Sequence, residues 1–147
     1  MPAPSGNDPP FDLGAYLGAT EEVRTQRFTI YIPDRDRDNR PVEDIEDWIA
    51  ACMGLLTRIN GGCTRLPNAS GEWLSDEGVT VKEQTALIYS FFGDASVFVG
   101  HLGKIRAFIR RFGKETNQGE VMVELFGEDA EGLYSRAYKI RREAWQD

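Results

Sequence analysis

The chain has few of the residue types on which most familiar catalytic and metal sites depend. It contains one histidine, His101, and two cysteines, Cys52 and Cys63, among 147 residues. His101 falls at the edge of an apolar helical stripe, which is typical of a structural histidine, and the three residues are too scattered for a recognisable zinc pattern. Glycine-rich loops that cradle phosphates are also missing. We therefore predict no metal, no cofactor and no catalytic residue of a standard kind.

Long apolar runs and a leader-like N-terminus are missing as well. No run approaches the roughly 20 apolar residues that span a bilayer. Residues 1–11 have neither the basic nor the apolar region of a signal peptide. Two cysteines are too few for a disulfide framework. These absences predict a cytoplasmic protein with reduced thiols and no membrane partner.

The charge balance and the prolines set the domain organisation. A formal net charge of −7 does not favour nucleic-acid binding as the main role, because phosphate attraction needs positive potential. Four of the seven prolines lie in the first 26 residues, which are too poor in apolar side chains to form a core. We predict a flexible tail over 1–26, a single α+β domain over 27–141 and a C-terminal tail over 142–147.

Hydrophobic periodicity predicts two amphipathic helices. The first starts at Val42 and ends at Asn60, where Gly61 and Gly62 follow, since glycine adopts the left-handed conformation that ends helices. The second is capped by Asp94 or Ser96 and stops near Gly113. The first buried stripe consists of Val42, Ile45, Ile49, Cys52, Leu56 and Ile59, and the second of Phe98, Leu102, Ile105, Ile109 and Phe112.

Alternating or continuous apolar residues predict the strands, over 27–33, 63–66 with 71–74, 79–92, 118–126 and 133–140. The order of elements is β-α-β-β-α-β with one extra C-terminal strand. This order is typical of the ferredoxin-like split βαβ fold, an antiparallel sheet with two helices on one face. Because such a sheet leaves its other face uncovered, we expect the protein to self-associate.

A spaced set of residues in the middle of the chain carries a family resemblance. The pattern is G-x-T, G-x-W, G and E, formed by Gly62, Thr64, Gly71, Trp73, Gly78 and Glu83. It resembles a family of small bacterial proteins known only as a domain of unknown function. That family also runs strand, helix, this segment, apolar strand, helix and a last strand that starts with glutamine, here Gln118. The resemblance implies a fold and no activity.

The same segment offers a candidate ligand site. Thr64, Arg65, Trp73 and Glu83 are expected at one end of the sheet, where a guanidinium and a carboxylate suit a polar ligand. The alternative is purely structural: Trp73 covers the edge of the core, and Arg65 and Glu83 are cross-strand partners. Residues 34–40 alternate in charge and predict a solvated loop, because a calcium loop would need a glycine and a closing glutamate.

Two further regions suit a partner. Aromatic and aliphatic side chains stand out in the N-terminal tail, and the second helix concentrates positive charge. We favour a non-catalytic accessory or assembly module that binds a protein partner through these regions. One alternative is a small-ligand sensor or cofactor-free enzyme with a cleft around Arg65, Trp73 and Glu83, and another is nucleic-acid binding through the second helix. The partner-binding residues are Phe11, Leu13, Tyr16, Lys104, Arg106, Arg110, Arg111 and Lys114.

Overall fold

Five strands and four helices make up the protein in a computed structural model, which describes residues 11–20 and 26–146. The predicted N-terminal tail therefore lies partly outside the described residues. The strands are β1 (Gln26–Pro33), β2 (Thr64–Leu74), β3 (Thr80–Phe92), β4 (Glu120–Asp129) and β5 (Gly132–Arg141). The helices are α1 (Leu13–Leu17), α2 (Ile45–Asn60), α3 (Ala95–Gly100) and α4 (Leu102–Glu115), and a 3₁₀ turn covers Arg142–Ala144.

The strands form one antiparallel sheet in the order β2-β3-β1-β4-β5. Removing β5 leaves the strand order of the ferredoxin-like fold, so the predicted α+β split βαβ architecture is confirmed. The extra strand is β5, which folds back on β4 through a turn at Gly132, where a φ of 118° suits glycine. None of the helices described is long and apolar enough to cross a membrane.

The core lies between the sheet and the helices α2, α3 and α4. Alternate side chains of the central strands, such as Ile30 and Ile88, are fully buried there against Leu56 and Phe112. These side chains alternate with others that point to the opposite face of the sheet, away from α2, α3 and α4. The fold therefore has one face that builds the core and one open face, and the open face carries the cavity described below.

The helix α2 begins later than predicted. Val42 precedes it, because the backbone of Val42 donates to the Asp34 carbonyl at 2.9 Å and an isolated bridge joins Arg35 to Pro41. The segment from Asp34 to Val42 is thus a closed loop instead of a first helical turn. The predicted end is confirmed, since Gly61 has a φ of 88° and its N–H bonds the Thr57 carbonyl.

The second predicted helix is divided in two at His101. Asp94 caps α3 by accepting from the Ser96 backbone, and the His101 ring Nδ1 lies 2.8 Å from the Val97 carbonyl oxygen. His101 is therefore held in a structural role at the junction of α3 and α4. Gly113 does not end α4, which continues to Glu115.

The C-terminal residues belong to the folded domain. Trp145 is 4% exposed and packs in the core, so the domain extends beyond the predicted boundary at residue 141. Its ring lies against Gly113, where an added Cβ would come within 2.5 Å of the indole carbons. Gly113 is thus needed for close approach of the C-terminal segment.

The predicted pieces over 63–66 and 71–74 are one strand, β2, at the edge of the sheet. Its register on β3 shifts between Leu66 and Ala69, which is the sign of a bulge. Pro67 falls within that bulge, and an edge strand tolerates a proline there because no neighbour needs its missing N–H.

Candidate functional site

A cavity of about 370 Å³ opens on the uncovered face of the sheet. All five strands contribute to it, together with the loop after β1 and the segment before β4. Tyr31 lies opposite Leu87 in the sheet register and, with Met122, supplies the apolar part of the lining. This volume lies within the range of small-molecule sites.

Glu83 and Trp73 are the central polar pair of this cavity. Trp73 Nε1 donates a hydrogen bond of 3.4 Å to Glu83 Oε2. Gly71 lies directly opposite Glu83 in the register, and a Cβ built there would be in van der Waals contact with Glu83 Cγ at 3.5 Å. The β2–β3 hairpin thus holds an aromatic ring and a carboxylate side by side.

The surroundings make the charge of Glu83 costly. Burial raises the pKa of Glu83, and the nearby carboxylates of Asp34 and Glu120 raise it further. Hydrogen bonds from Trp73 and Thr85 act in the opposite direction. A partly buried carboxylate with two others nearby suits a cationic ligand, because the cation relieves the repulsion between them.

Buried polar side chains complete the lining. Thr85 is 6% exposed and Gln118 is 5% exposed. The Gln118 amide nitrogen donates to the Arg35 carbonyl at 3.1 Å and to Thr116 Oγ1 at 3.2 Å, so the side chain is held in place. These groups offer hydrogen-bonding partners at fixed positions beside the apolar wall.

The loop after β1 is built around Asp36. Its Oδ1 accepts from the backbones of Asp38 and Arg40 at 2.8 and 2.9 Å, and the Asn117 amide nitrogen reaches Asp36 and Asp38 at 3.3 and 3.0 Å. Arg37 donates from its backbone to the Asn117 carbonyl at 3.0 Å. The loop predicted to be merely solvated therefore brings Arg37 to the cavity.

Arg65 lies on the other side of the sheet. Its guanidinium forms two hydrogen bonds with the Glu46 carboxylate, at 2.8 and 2.9 Å, on the helix-bearing face. The expected pairing of Arg65 with Glu83 is wrong, because Arg65 pairs with Ile88 and Glu83 with Gly71 in the register. Thr64 pairs with Tyr89, away from Glu83. Of the four residues predicted for the site, the structure brings together Trp73 and Glu83.

The residues predicted to bind a partner occupy two separate places. Phe11, Leu13 and Tyr16 lie in or next to α1, which buries none of its residues. On α4, Arg111 lies over the Trp48 ring and pairs with Glu115 at 3.5 Å, which accounts for one of its positive charges. The side chains of Lys104 and Arg106 are exposed, Arg110 is half-buried, and Lys114 has a contact of its own.

The two cysteines lie in different environments, Cys52 buried and Cys63 partly exposed. Burial raises the pKa of Cys52 to about 12, so its thiol stays protonated and is a poor nucleophile. Cys63 lies 3.4 Å from Thr57 Oγ1. Across residues 11–20 and 26–146, no three histidine, cysteine or acidic side chains are grouped to hold a metal.

Comparison with known proteins gives a likeness of fold. No family model matches the chain, and no curated protein matches it by sequence. A solved structure of a phage SAM lyase in complex with S-methyl-5′-thioadenosine superposes with a TM-score of 0.61 at 19% identity, over 87% of this chain and 98% of that chain. The apo form of a phage SAM lyase gives a TM-score of 0.57, also at 19% identity, over 83% and 92%.

Proposed function

We propose that this protein binds S-adenosylmethionine (SAM) in the open-face cavity and cleaves it to S-methyl-5′-thioadenosine (MTA). The observation that carries the proposal is the Trp73–Glu83 pair, set among further carboxylates in a cavity of suitable size. The likeness in fold to a phage SAM lyase supports the same conclusion.

The chemistry of the ligand suits the chemistry of the pair. SAM carries a permanent positive charge on its sulfonium sulfur. An aromatic face attracts such a cation, and a carboxylate whose charge is costly in the empty cavity gains from it. The indole of Trp73 and the carboxylate of Glu83 provide both contacts, and Glu120 adds to the negative potential.

The remaining lining suits the nucleoside. The apolar surfaces of Tyr31, Leu87 and Met122 match a purine, and Gln118 and Thr85 match its polar edges and the ribose hydroxyls. Ligand sites commonly combine an apolar wall with a few fixed polar groups in this way.

The reaction needs no added water. The bond between sulfur and the amino acid chain breaks, and both of its electrons pass to sulfur, which becomes the neutral thioether of MTA. The carbon that loses sulfur forms a new bond within the same molecule, by one of two routes. In the first route the carboxylate of the amino acid attacks this carbon and closes a lactone ring. In the second route the neighbouring carbon loses a proton and an alkene forms. In the second route Glu83 is the base at hand, since burial raises its pKa towards the range useful for proton transfer.

The alternative of a small-ligand sensor or cofactor-free enzyme thus becomes our main proposal, in place of a non-catalytic accessory module. Self-association is compatible with it. Leu66 and Phe91 on the open face are 47% and 46% exposed, and such side chains suit contact with a second copy. Homo-oligomer formation and a protein partner stay predictions.

Direct binding tests the proposal before any assay of turnover. Isothermal titration with MTA and with SAM is expected to give one site per chain for the wild type. Glu83→Gln is expected to weaken SAM more than MTA, because only SAM is a cation. The matched control is Glu128→Gln, an exposed residue on β4 outside the lining of the cavity. Absence of binding of both ligands by the folded wild type would refute the proposal.

A further inference from the structure

A second cavity continues from the first towards the end of the sheet. It has a volume of about 550 Å³ and runs between the β2–β3 turn and the C-terminal part of β5. The two cavities share Arg37, Trp73, Gly119, Glu120 and Lys139. A ligand that begins at the Trp73–Glu83 pair can therefore extend along this shared lining.

The shared lining carries charges of both signs. Arg37 and Lys139 supply two cations and Glu120 supplies one carboxylate. Among the described residues, neither Arg37 nor Lys139 has a carboxylate oxygen within 4 Å. Further acidic and basic side chains lie deeper in the second cavity, namely Asp38, Asp76, Glu77, Arg141, Arg142 and Glu143.

Arg37 is fixed at its backbone and available at its side chain. Its backbone N–H donates to the Asn117 carbonyl. The Asp36 carboxylate accepts from the backbones of Asp38 and Arg40 and so closes the loop that contains Arg37. Gly119 lies beside the loop, since a Cβ built there would be in van der Waals contact with Arg37 Cβ at 3.5 Å. The guanidinium thus projects from an anchored backbone, which lowers the entropy lost on binding an anion.

Lys139 lies on β5 and lines the same shared part of the two cavities. It pairs with Met122 in the β4–β5 register, and Met122 lines the ligand cavity on the open face. A rigid guanidinium and a flexible ammonium therefore flank the passage between the cavities. Guanidinium groups bind carboxylates through paired hydrogen bonds.

We infer that Arg37 and Lys139 bind the α-carboxylate of the ligand's amino acid end, and that Glu120 takes the α-ammonium. The inference rests on the proposed function. It makes these residues determinants of specificity, which favour ligands with an intact amino acid chain over MTA, in which that chain is missing. They act on binding and need not take part in bond cleavage.

S-adenosylhomocysteine (SAH) and MTA separate this inference from the proposed function. Both are neutral thioethers at sulfur, so they differ at the amino acid end and not in the sulfonium charge. Isothermal titration of Arg37→Gln and Lys139→Gln is expected to show SAH binding weaker by about 10- to 100-fold, with MTA binding unchanged within twofold. Arg106→Gln, an exposed substitution on α4, is the control and is expected to change neither affinity.

The outcomes are distinct. Wild-type protein that binds MTA as tightly as SAH would overturn the inference alone, as would variants that leave SAH unaffected or weaken both ligands equally. Wild-type protein that binds neither MTA nor SAH would overturn the inference, and one that also fails to bind SAM would overturn the proposed function with it.

Discussion

Trp73 donates a hydrogen bond to Glu83 across the β2–β3 hairpin, on the face of the sheet opposite α2, α3 and α4. The two residues are ten positions apart in sequence and stand next to each other because the hairpin register pairs Gly71 with Glu83. An uncovered sheet face is ordinarily a place for solvated side chains. Here it holds a partly buried carboxylate beside an indole, and this arrangement is the basis of the proposed binding of a cation.

The pH dependence of stability reports on Glu83. Its pKa is higher in the folded protein than in the unfolded chain, so the folded protein binds this proton more tightly. The tighter proton binding adds to the free energy of unfolding. This added stability is fully present below the ordinary pKa of 4.5 and is lost as the pH rises through the pKa of the folded protein. Glu83→Gln cannot ionise and does not lose this stability. Its Tm is therefore expected to exceed that of the wild type by up to a few degrees at pH 7, and the difference in Tm is expected to disappear at acid pH.

Thermal melts of both proteins between pH 4 and pH 8 measure this difference. Glu128→Gln, an exposed position on β4 of the same sheet, provides the control for loss of one negative charge. A difference in Tm between Glu83→Gln and the wild type that is the same at every pH would mean that ionisation of Glu83 does not destabilise the folded protein.

Two substitutions of Trp73 distinguish the contribution of its aromatic ring to binding from that of its N–H group. Trp73→Phe keeps an aromatic face and loses the donor to Glu83, whereas Trp73→Ala loses both. We expect Trp73→Ala to weaken SAM by roughly 2- to 30-fold, equivalent to about 0.5–2 kcal/mol, and Trp73→Phe to weaken it less. Titration with SAM and SAH measures the effect, and an equal loss for the two ligands would exclude a contact with the sulfonium.

Arg65 offers a test of the placement of the site. Its bonds are made to Glu46 on the helix-bearing face, where its side chain is 30% exposed. Arg65→Gln is therefore expected to cause a small loss of stability in urea unfolding and to leave MTA affinity unchanged within twofold. A large loss of affinity with the fold intact would place Arg65 in the ligand site after all.

Gly113 tests the packing of the C-terminal segment. A methyl group at this position would overlap the Trp145 ring, so Gly113→Ala is expected to cost roughly 1–3 kcal/mol of unfolding free energy. Gly103→Ala in the same helix meets no atom within 4 Å and is expected to be neutral or to stabilise by up to about 1 kcal/mol. In a Trp145→Ala background the penalty at Gly113 should largely disappear, and persistence of the full penalty would argue against this contact.

The fold could be predicted from the sequence where apolar spacing is regular. The stripe on α2 and the long run of β3 each bury one face, so their periodicity predicts the elements directly. The break at His101 could not be predicted, since the apolar stripe continues through it. The burial of Trp145 depends on the small volume of Gly113. The sequence pattern predicts only the end of a helix at that position.

The site could be predicted only where it lies within one hairpin. Trp73 and Glu83 share the segment that the sequence pattern singled out, whereas Arg37, Gln118 and Lys139 come from distant parts of the chain. Arg37 sits in a run whose alternating charges are typical of solvent. The hydrogen bonds of Asp36 with Asp38, Arg40 and Asn117 fix that run, and they depend on tertiary contacts that periodicity does not reveal.

Conversion of SAM is the most direct test of the central claim. Folded wild-type protein, Glu83→Gln and Glu128→Gln are incubated with SAM, and MTA is followed by liquid chromatography with mass spectrometry against a protein-free control. The account predicts MTA well above the spontaneous rate for the wild type and Glu128→Gln. It predicts a lower rate for Glu83→Gln, by about 100-fold or more on the route in which Glu83 is the base. Wild-type protein that leaves SAM at the spontaneous rate, or Glu83→Gln that matches the wild type, would contradict it.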